Sequence, residues 1–255
     1  NLSIDDRDRR LVRVMAQRRC HPSIWSLVEH QYPRVQTDVD LVRLAEIAKA
    51  PPAPEKNVVF MDLSGDVSLE TPSEATDLEI IGASYGSACT QAGKSWQNPS
   101  TAMLAIDMAR EFKGWHPEAR VAIVTPYRGQ VRLIRRWIEE ERKADPKTPP
   151  VEVGTVHSFQ GGEADFVILD LVDGPPRPDL GFLLSHDTGS RLINVAITRA
   201  RAKLAVIGHL EWLRTHTLGK ADLLRNILFG EMVQQSVCEV SRGRDLTESA
   251  EGAAQ

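Results

Sequence analysis

The sequence predicts an α/β fold in which a mainly parallel β-sheet is flanked by helices. Short strands at 121–124, 166–171 and 204–207 are apolar except for Asp170, which is typical of strands that helices cover on both faces. Helical segments alternate with these strands through the second half of the chain. The chain has 255 residues, of which 42% are hydrophobic, and this is enough for a sizeable core. These features together predict a layered α/β domain.

The order of predicted elements is regular from residue 98 onward. Apolar residues at helical or strand spacing define each segment. The segments are a helix at 100–112, a strand at 121–124, a helix at 129–142, strands at 151–156 and 166–171, a helix at 190–200 and a strand at 204–207. Ligands of open α/β sheets gather at the carboxyl ends of the strands, so we expect functional residues directly after the strands.

The first hundred residues are less regular. A helix is predicted at 6–28 with an interruption at His21-Pro22, because proline disfavours helix in the residue before it. A second helix is predicted after Thr37, its expected N-cap, and ends at Pro51. A strand follows at 57–62, and the stretch rich in Gly, Ser and Thr up to about residue 97 is expected to be an irregular insertion.

These elements divide the chain into four parts. Residues 1–56 are expected to form a helical lead-in, 57–215 the core, 216–240 a helical C-terminal extension and 241–255 a polar, disordered tail. The first residues have neither a signal-peptide pattern nor an initiator Met, so we expect the chain to be cut from a longer one.

Charge and cysteine content exclude several classes of protein. The formal net charge of -4 excludes a nucleic-acid binder that is basic overall, but it permits local basic surfaces. Basic residues cluster at 7–13, 128–136 and 191–203, the last with Arg191, Arg199, Arg201 and Lys203. Three cysteines without Cys-x-x-Cys spacing indicate neither a disulfide framework nor a zinc site. No apolar run reaches the roughly 20 residues of a membrane span, and the expected compartment is the cytoplasm or nucleus.

Two short patterns suggest other chemistry. Ala92-Gly93-Lys94-Ser95 ends like a phosphate-binding P-loop, but Ala88 stands where the first glycine is required and proline follows where the helix should begin. Gly82, Ser84 and Gly86 have the spacing of a serine-hydrolase nucleophile elbow, but the residues after Ser84 have the composition of a loop. Patterns with three fixed positions recur by chance, so we expect neither to be an active site.

Four longer segments carry a resemblance to a known family. Each lies at a predicted strand end or helix edge, and the last two are long enough to be specific. They are Gln17-Arg18-Arg19-Cys20-His21-Pro22, Val124-Thr125-Pro126-Tyr127-Arg128-Gly129-Gln130, Val153-Gly154-Thr155-Val156-His157-Ser158-Phe159-Gln160-Gly161-Gly162-Glu163-Ala164-Asp165-Phe166, and Arg191-Leu192-Ile193-Asn194-Val195-Ala196-Ile197-Thr198-Arg199-Ala200-Arg201. Together they resemble the second RecA-like motor lobe of superfamily 1 helicases of the Upf-like and Dna2-like group. The resemblance covers about residues 10–215 and implies a RecA-like, P-loop-NTPase-type layered domain.

The resemblance implies roles in ATP hydrolysis. In such motors the first lobe supplies the P-loop and the magnesium carboxylate, and the second supplies arginines that stabilise charge on the γ-phosphate. Arg19 and Arg199 match these arginines, Glu163 matches an acid that accepts hydrogen bonds from the ribose, and Gly161 lies in the turn before it. Arg18 stands where the family has a tyrosine that stacks on adenine, and a guanidinium can also stack on a base. The expected cofactor is ATP with Mg²⁺, the metal being held mainly by the first lobe.

The resemblance also implies a surface for single-stranded nucleic acid. Small donors at strand ends bind phosphates, and aromatic and cationic groups stack on bases. The candidates are Thr125, Pro126, Tyr127, Arg128, Gln130, Thr155, His157 and Ser158. The expected partners are single-stranded DNA or RNA and the first RecA-like lobe, in the same polypeptide or in a partner subunit.

We expect the isolated chain to lack ATPase activity, because the P-loop lobe is absent from it. The alternative is a non-catalytic nucleic-acid or protein interaction module that retains the lobe fold. Arg19, Glu163 and Arg199 favour the motor, since a scaffold does not need these side chains in these motif positions. The departure at Arg18 leaves the alternative open.

Overall fold

A six-stranded parallel sheet is the centre of the fold. The computed structural model describes residues 16–32, 34–64, 89–159, 162–181, 184, 187–217 and 237–239. The strands in this part of the chain are β1 (Ala16–Gln17), β2 (Gln36–Thr37), β3 (Val58–Asp62), β4 (Thr90–Ala92), β5 (Ser95–Gln97), β6 (Val121–Thr125), β7 (Glu152–Thr155), β8 (Ala164–Asp170), β9 (Ala200–Gly208) and β10 (Val237–Glu239). The central sheet has the order β10-β3-β9-β8-β6-β7, and all its neighbouring strands are parallel.

Helices cover both faces of this sheet. They are α1 (Pro22–Trp25), α2 (Leu41–Ala48), α3 (Pro99–Trp115), α4 (Arg128–Ala144), α5 (Asp187–Ile197) and α6 (Leu210–His216), with a 3₁₀ turn at Glu29–Gln31. Side chains alternate between the faces along each strand. In β6, for example, Ala122 and Val124 pack with α1 and α5, whereas Val121 and Ile123 pack with α3 and α4. The predicted α/β class, with a parallel sheet flanked by helices, is confirmed.

The N-terminal part differs from its prediction. Ala16–Gln17 is a strand that pairs with Gln36–Thr37, so the predicted helix at 6–28 is restricted to four residues at Pro22–Trp25 among those described. Thr37 lies in β2, and Asp40 is the residue that caps α2, because its carboxylate accepts from the Arg43 amide at 3.1 Å. Residues 1–15 of the predicted helix lie outside the described part.

Two other regions were predicted with the wrong structure. The irregular insertion contains an antiparallel hairpin, in which β4 and β5 pair around Gly93 and Lys94. Val237–Glu239 was placed in a helical extension but forms β10, the outer neighbour of β3. Such pairings are contacts between distant residues, which local periodicity does not reveal. Residues 218–236 of the predicted extension and the tail at 241–255 lie outside the described residues.

One member of the predicted basic cluster is part of the core. Lys203 is fully buried in β9, and its Nζ donates to the carbonyl oxygens of Ala48, Ala50 and Ala53 at 2.9, 2.6 and 3.2 Å. The ammonium group therefore anchors the chain that follows α2 and does not belong to a basic surface. Within the described ranges, no helix is long and apolar enough to cross a bilayer.

Candidate functional site

A turn at Gln17 to Cys20 presents Arg19. The side-chain oxygen of Gln17 accepts from the amides of Arg19 and Cys20, each at 2.9 Å. Its Nε2 donates to the Cys20 carbonyl at 2.8 Å and to the Thr37 hydroxyl at 3.0 Å. The amide of His21 donates to the Arg201 carbonyl at 2.7 Å, which fixes this turn against the start of β9. Gln17 therefore determines the direction in which Arg19 points.

Arg19, Glu163 and Arg199 come together from three distant parts of the chain. Arg19 Nε lies 3.1 Å from Glu163 Oε2, and Arg19 Nη1 donates to the Thr198 carbonyl at 3.3 Å. Arg199 Nε donates to the Val195 carbonyl at 3.0 Å, and its Nη1 donates to the Gly162 carbonyl at 3.1 Å. The structure thus brings together three residues that the sequence assigned to one nucleotide.

The environment of this cluster favours a bound anion. Burial lowers the pKa of the Arg199 guanidinium, and the positive charge of Arg19 lowers it further. Burial raises the pKa of the Cys20 thiol to about 11, although both arginines act in the opposite direction. Two guanidinium groups held this close repel each other, and a phosphate placed between them would remove that repulsion. The donor set therefore fits the polyphosphate of a nucleotide.

A cavity of about 320 Å³ lies beside the cluster. Its lining consists of Gln17, Arg18, Arg19, Cys20, Trp25, Glu163 and Thr198. The Arg18 side chain is 77% exposed and pairs with Asp38 at 2.9 Å, so it stands at the rim where a base can reach it. Gly161 lies outside the described residues.

The position of this cavity differs from the expectation. Glu163 directly precedes β8 and Arg199 directly precedes β9, so the cluster lies at the amino ends of these strands. These three residues therefore do not follow the carboxyl ends of strands as expected, because a turn and a helix end supply their side chains.

Arg201 belongs to the same edge but was not among the predicted site residues. Its Nη1 lies 3.8 Å from Glu163 Oε1 and 3.6 Å from Asp165 Oδ1. Asp165 is itself held by the Arg120 amide at 3.0 Å. The sequence contained a signal for this role, since Arg201 follows Arg199 by two residues and is the last residue of the same motif.

Most of the predicted nucleic-acid residues after β6 are not exposed. Thr125 and Pro126 are buried, and the Thr125 hydroxyl accepts from the Tyr127 amide at 3.4 Å. Tyr127 Oη donates to Asp173 Oδ1 at 2.6 Å and accepts from Arg177 at 2.8 Å. Burial raises the pKa of the Tyr127 phenol, as does the neighbouring Asp173. The hydroxyl of the half-buried tyrosine therefore belongs to an internal network in which Arg177 also pairs with Asp173.

Gln130 also serves the interior. Its side chain is 0% exposed and donates to Asp170 Oδ2 at 2.6 Å and to the Asn98 carbonyl at 2.9 Å. Its Oε1 accepts from the Asn98 amide at 2.8 Å. The predicted direct contact between Gln130 and nucleic acid does not fit this arrangement, because all the polar groups of its side chain bond to buried partners. Gln130 instead joins the start of α4 to the start of α3.

Four of the predicted nucleic-acid residues remain accessible. Arg128, His157 and Ser158 are exposed, and Thr155 is half-buried at the end of β7. Ser158 Oγ donates to the Thr155 carbonyl at 2.7 Å, which closes a tight turn. A side chain on Gly154 would come within 2.5 Å of Ser158 Oγ, so glycine is needed there for this close approach. These residues lie at the carboxyl ends of β6 and β7, as expected.

The Gly-Lys-Ser pattern does not form a phosphate loop. Gly93 has a φ of +63° and, with Lys94, forms the turn of the β4–β5 hairpin. A P-loop joins a strand to a helix and wraps its backbone amides around phosphate. Ser95 Oγ instead accepts from the Gly129 amide at 2.9 Å. The predicted rejection of a P-loop is confirmed, whereas the Ser84 pattern lies outside the described residues. In the part of the chain that the structure describes, no group of three acidic, His or Cys side chains is placed to hold a metal.

Comparisons with known proteins find helicases among the relatives of this chain. The chain is 32% identical over 157 residues to the DNA polymerase alpha-associated DNA helicase A of Saccharomyces cerevisiae, covering 62% of the chain and 20% of the relative. It is 35% identical over 100 residues to the ATP-dependent helicase upf1 of Schizosaccharomyces pombe, covering 39% of the chain and 10% of the relative. Identity to helicase sen1 of the same yeast is 30% over 145 residues, covering 56% of the chain and 8% of the relative. The chain therefore spans a fifth or less of the length of these relatives.

A solved structure and a family model complete the comparison. The crystal structure of methylated PRRSV nsp10 (helicase) covers 78% of this chain and 24% of its own, at 15% identity and a TM-score of 0.31. The family model described as AAA domain, AAA_12, matches residues 4–211. Because this match includes most of the chain, the chain belongs to the AAA domain family, with Upf1-like superfamily 1 helicases among its relatives.

Proposed function

We propose that this chain is the second motor lobe of an ATP-dependent superfamily 1 helicase or translocase. The observation that carries the proposal is the pairing of Arg19 with Glu163 at one cavity, with Arg199 bonded to the neighbouring Gly162 carbonyl. These residues are up to 180 positions apart in sequence, yet they offer two cations and one carboxylate at the same edge. A plain structural domain has no need for two guanidinium groups that repel each other beside a cavity.

Each residue of the cluster has a distinct part in this proposal. Arg19 and Arg199 stabilise negative charge that develops on the γ-phosphate, which is the main way proteins accelerate phosphoryl transfer. Arg199 is fixed by two backbone carbonyl oxygens, so its guanidinium is already oriented before nucleotide arrives. Glu163 accepts hydrogen bonds from the ribose, and Arg18 stacks on the base at the rim. When bound, ATP supplies the phosphoanhydride bond whose cleavage drives the motor, and a first lobe holds its Mg²⁺.

Arg19 has to exchange partners for this role. In the structure its guanidinium is paired with Glu163, and both side chains are partly exposed. Such pairs contribute little stability, about 0–1 kcal/mol, so a phosphate can displace the carboxylate at small cost. Release of Glu163 would then free its oxygens for the ribose, with Arg201 nearby to hold the carboxylate in place.

The accessible residues at the carboxyl edge form the second half of the proposal. Thr155, His157, Ser158 and Arg128 offer hydroxyl, imidazole and guanidinium donors, which suit the phosphates of a single strand of DNA or RNA. The segment from Thr155 to Glu163 then connects this nucleic-acid surface to the nucleotide cluster. A motor that couples ATP hydrolysis to stepping requires a link between two such surfaces. Work in the cytoplasm or nucleus follows from this role.

The proposal is tested by ATP hydrolysis with the chain joined to a first lobe that carries a P-loop. We expect Arg199→Ala to lower kcat by about 10³-fold or more, because a finger arginine contributes about that much. Arg199→Lys should not restore the rate, since an ammonium cannot reproduce the planar contacts. Arg43→Ala is the matched control, because Arg43 is an exposed arginine on α2, and it should leave the rate unchanged. Unchanged turnover in Arg199→Ala would show that this arginine is not a finger.

A non-catalytic interaction module is the second candidate. The Arg19–Glu163 and Arg18–Asp38 pairs favour it, since each neutralises a side chain that the motor would use. The same experiment separates the two candidates. Nucleic-acid binding together with no ATP hydrolysis in the joined lobes would support the module.

A further inference from the structure

A groove runs between α4 and the outer edge of β7, away from the nucleotide cluster. It encloses a cavity of about 660 Å³. The lining residues are Arg135, Ile138, Glu139, Arg142, Lys143, Pro146, Val151 and Val153. The floor is apolar, and the rim has three basic side chains and one acidic one. The cavity is therefore electropositive, although the whole chain is slightly acidic.

The rim continues as a stripe along α4. Arg128, Arg132, Arg135, Glu139 and Arg142 follow one another at spacings of four, three, four and three residues. This spacing places them on one face of the helix. All five are exposed. At a rise of 1.5 Å per residue, the stripe is about 21 Å long.

The arginines of this stripe are available for a ligand. Arg128, Arg132 and Arg142 have no ion pair with any residue that the structure describes. Three ion pairs involve the other charged residues of the helix: Arg136 with Glu140 at 3.7 Å, Lys143 with Glu139 at 3.6 Å, and Glu141 with Arg110 of α3. The acidic side chains beside the groove are therefore engaged with lysine or arginine off the stripe.

The stripe begins where the proposed nucleic-acid surface ends. Arg128 directly follows Tyr127 at the carboxyl edge of the sheet. The Val156 amide donates to the Thr125 carbonyl at 3.3 Å, so the turn that holds Thr155 and Ser158 lies against the start of α4. A strand that leaves this turn meets Arg128 and can follow the stripe to Arg142.

The groove is less suited to a peptide that adds a strand to β7. Arg135 Nε and Nη2 both donate to the Val153 carbonyl, at 3.1 and 2.5 Å. An added strand needs such carbonyl groups on the edge as hydrogen-bond acceptors. Since Arg135 already occupies this one, charge complementarity to a phosphate chain is the stronger indication.

We propose that the Arg128–Arg142 face of α4 and the groove beside it bind the phosphate backbone of the single strand, beyond the turn at Thr155 and Ser158. The proposal rests on the proposed function, because it takes the occupant to be the nucleic acid of the motor. It assigns a new binding surface to residues outside the four sequence motifs, apart from Arg128.

Binding of oligothymidine to the full 255-residue chain tests this surface. Fluorescence anisotropy would compare a short probe of about 5 nucleotides with a long probe of about 16, which together bracket common site sizes. Removal of two phosphate contacts by Arg132→Ala with Arg142→Ala should lower the slope of log K against log salt by about 1.4, at about 0.7 per phosphate. This decrease in slope corresponds to roughly 25-fold weaker binding of the long probe at 0.1 M salt. The short probe should bind as it does to the wild type.

Three further variants make the result specific. Arg132→Lys with Arg142→Lys keeps both charges and should bind the long probe with nearly wild-type affinity. Arg43→Ala with Lys49→Ala removes the same charge from the α2 region, which α3 separates from α4, and should change neither probe. His157→Ala with Ser158→Ala alters the proposed surface at the carboxyl edge and should weaken both probes.

The outcomes separate this proposal from the proposed function. Loss in the His157 and Ser158 variant without loss in the Arg132 and Arg142 variant would overturn the groove and leave the function standing. Equal loss for both probes would also overturn it, because a general charge effect would explain the data. Failure of the wild type to bind either probe would overturn the groove, whereas the proposed function is decided by ATP hydrolysis in the joined lobes. Binding of an acidic peptide that depends on Arg132 and Arg142, with unchanged oligonucleotide binding, would make the groove a protein site.

Discussion

At the residue scale, the environment of Arg199 differs from that of Arg19. Arg199 bonds to two carbonyl oxygens of its own neighbourhood, whereas Arg19 bonds to a carboxylate that the ligand is expected to need. The first arrangement holds a guanidinium in place without neutralising it. The second keeps a guanidinium neutralised until an anion competes. Arg199 is thus preorganised for transition-state charge, and Arg19 is suited to respond to nucleotide binding.

Single residues also show how far the sequence predicted the site. Arg19, Glu163 and Arg199 were predicted to act together, and their motifs fixed their positions near one another. Tyr127 and Gln130 were predicted to contact nucleic acid, and in the structure both are bonded to buried acids. A polar residue after a strand has the same sequence signature whether it faces solvent or the next loop. Only the path of the loop that carries Asp173 decides between the two.

Lys94 provides a prediction at this scale. Its position in a hairpin turn leaves no loop of amides for phosphate, so Lys94→Ala should not change basal ATP hydrolysis by the joined lobes. The measurement is the steady-state rate without nucleic acid, with Arg199→Ala as the inactive comparison. A drop of about 10-fold or more in Lys94→Ala would mean that this lysine contacts the nucleotide.

At the scale of elements, the regular half of the chain was predicted well. The strands and helices from α3 to β9 occur where periodicity placed them, with ends that differ by a few residues. The two-residue strands β1 and β2, the β4–β5 hairpin and β10 were missed. Each of these is too short for a periodic signal and exists because of a partner elsewhere in the chain. The missed elements include the one that positions the Arg19 turn.

The junction between α3 and α4 leads to a prediction about an element pair. Gln130 makes four hydrogen bonds to Asn98, Thr101 and Asp170, all buried, and Gln130→Ala removes all four. We expect it to lower the free energy of unfolding by about 2–4 kcal/mol, from about 1–3 kcal/mol for each buried group left unsatisfied. Urea unfolding followed by circular dichroism measures this. Oligothymidine affinity per folded molecule should be unchanged, and a selective loss of affinity at unchanged stability would restore a direct nucleic-acid role for Gln130.

At the scale of the whole molecule, the two proposed ligands lie at opposite ends of the strands of one sheet. Nucleotide residues gather at the amino ends of β8 and β9, and the exposed nucleic-acid residues lie at the carboxyl ends of β6 and β7. The segment after β7 joins these edges and is anchored on the way by Val156 and Phe159, which are buried in the core on the α5 face. Sheet order was not predictable here, because β8 lies between β6 and β9 while β7 is at the edge.

The free energy of unfolding of the whole fold should depend on pH through the buried carboxyl group of Asp170. Burial raises the pKa of Asp170 to about 7, although hydrogen bonds from Gln130, Thr101 and the Val172 amide act in the opposite direction. The folded state therefore holds a proton that the unfolded chain releases near its ordinary pKa of about 3.9. Stability from this group is full below the unfolded pKa and is lost as the pH rises towards 7, at up to about 1.4 kcal/mol per pH unit. His21 and His209 act with the opposite sign, since burial lowers the pKa of each imidazole and their contribution is lost as the pH falls.

Asp170→Asn isolates this contribution. The amide cannot ionise, so the fall in the free energy of unfolding between about pH 5 and about pH 7 should be smaller in the variant than in the wild type. Urea unfolding at several pH values gives the difference between the two proteins, in which the histidine contributions cancel. Asp173, whose pKa burial also raises, is unchanged in the variant and leaves a residual slope of the same sign. Identical slopes in the two proteins would mean that Asp170 is ionised throughout this range, with its charge carried by the hydrogen bonds from Gln130 and Thr101.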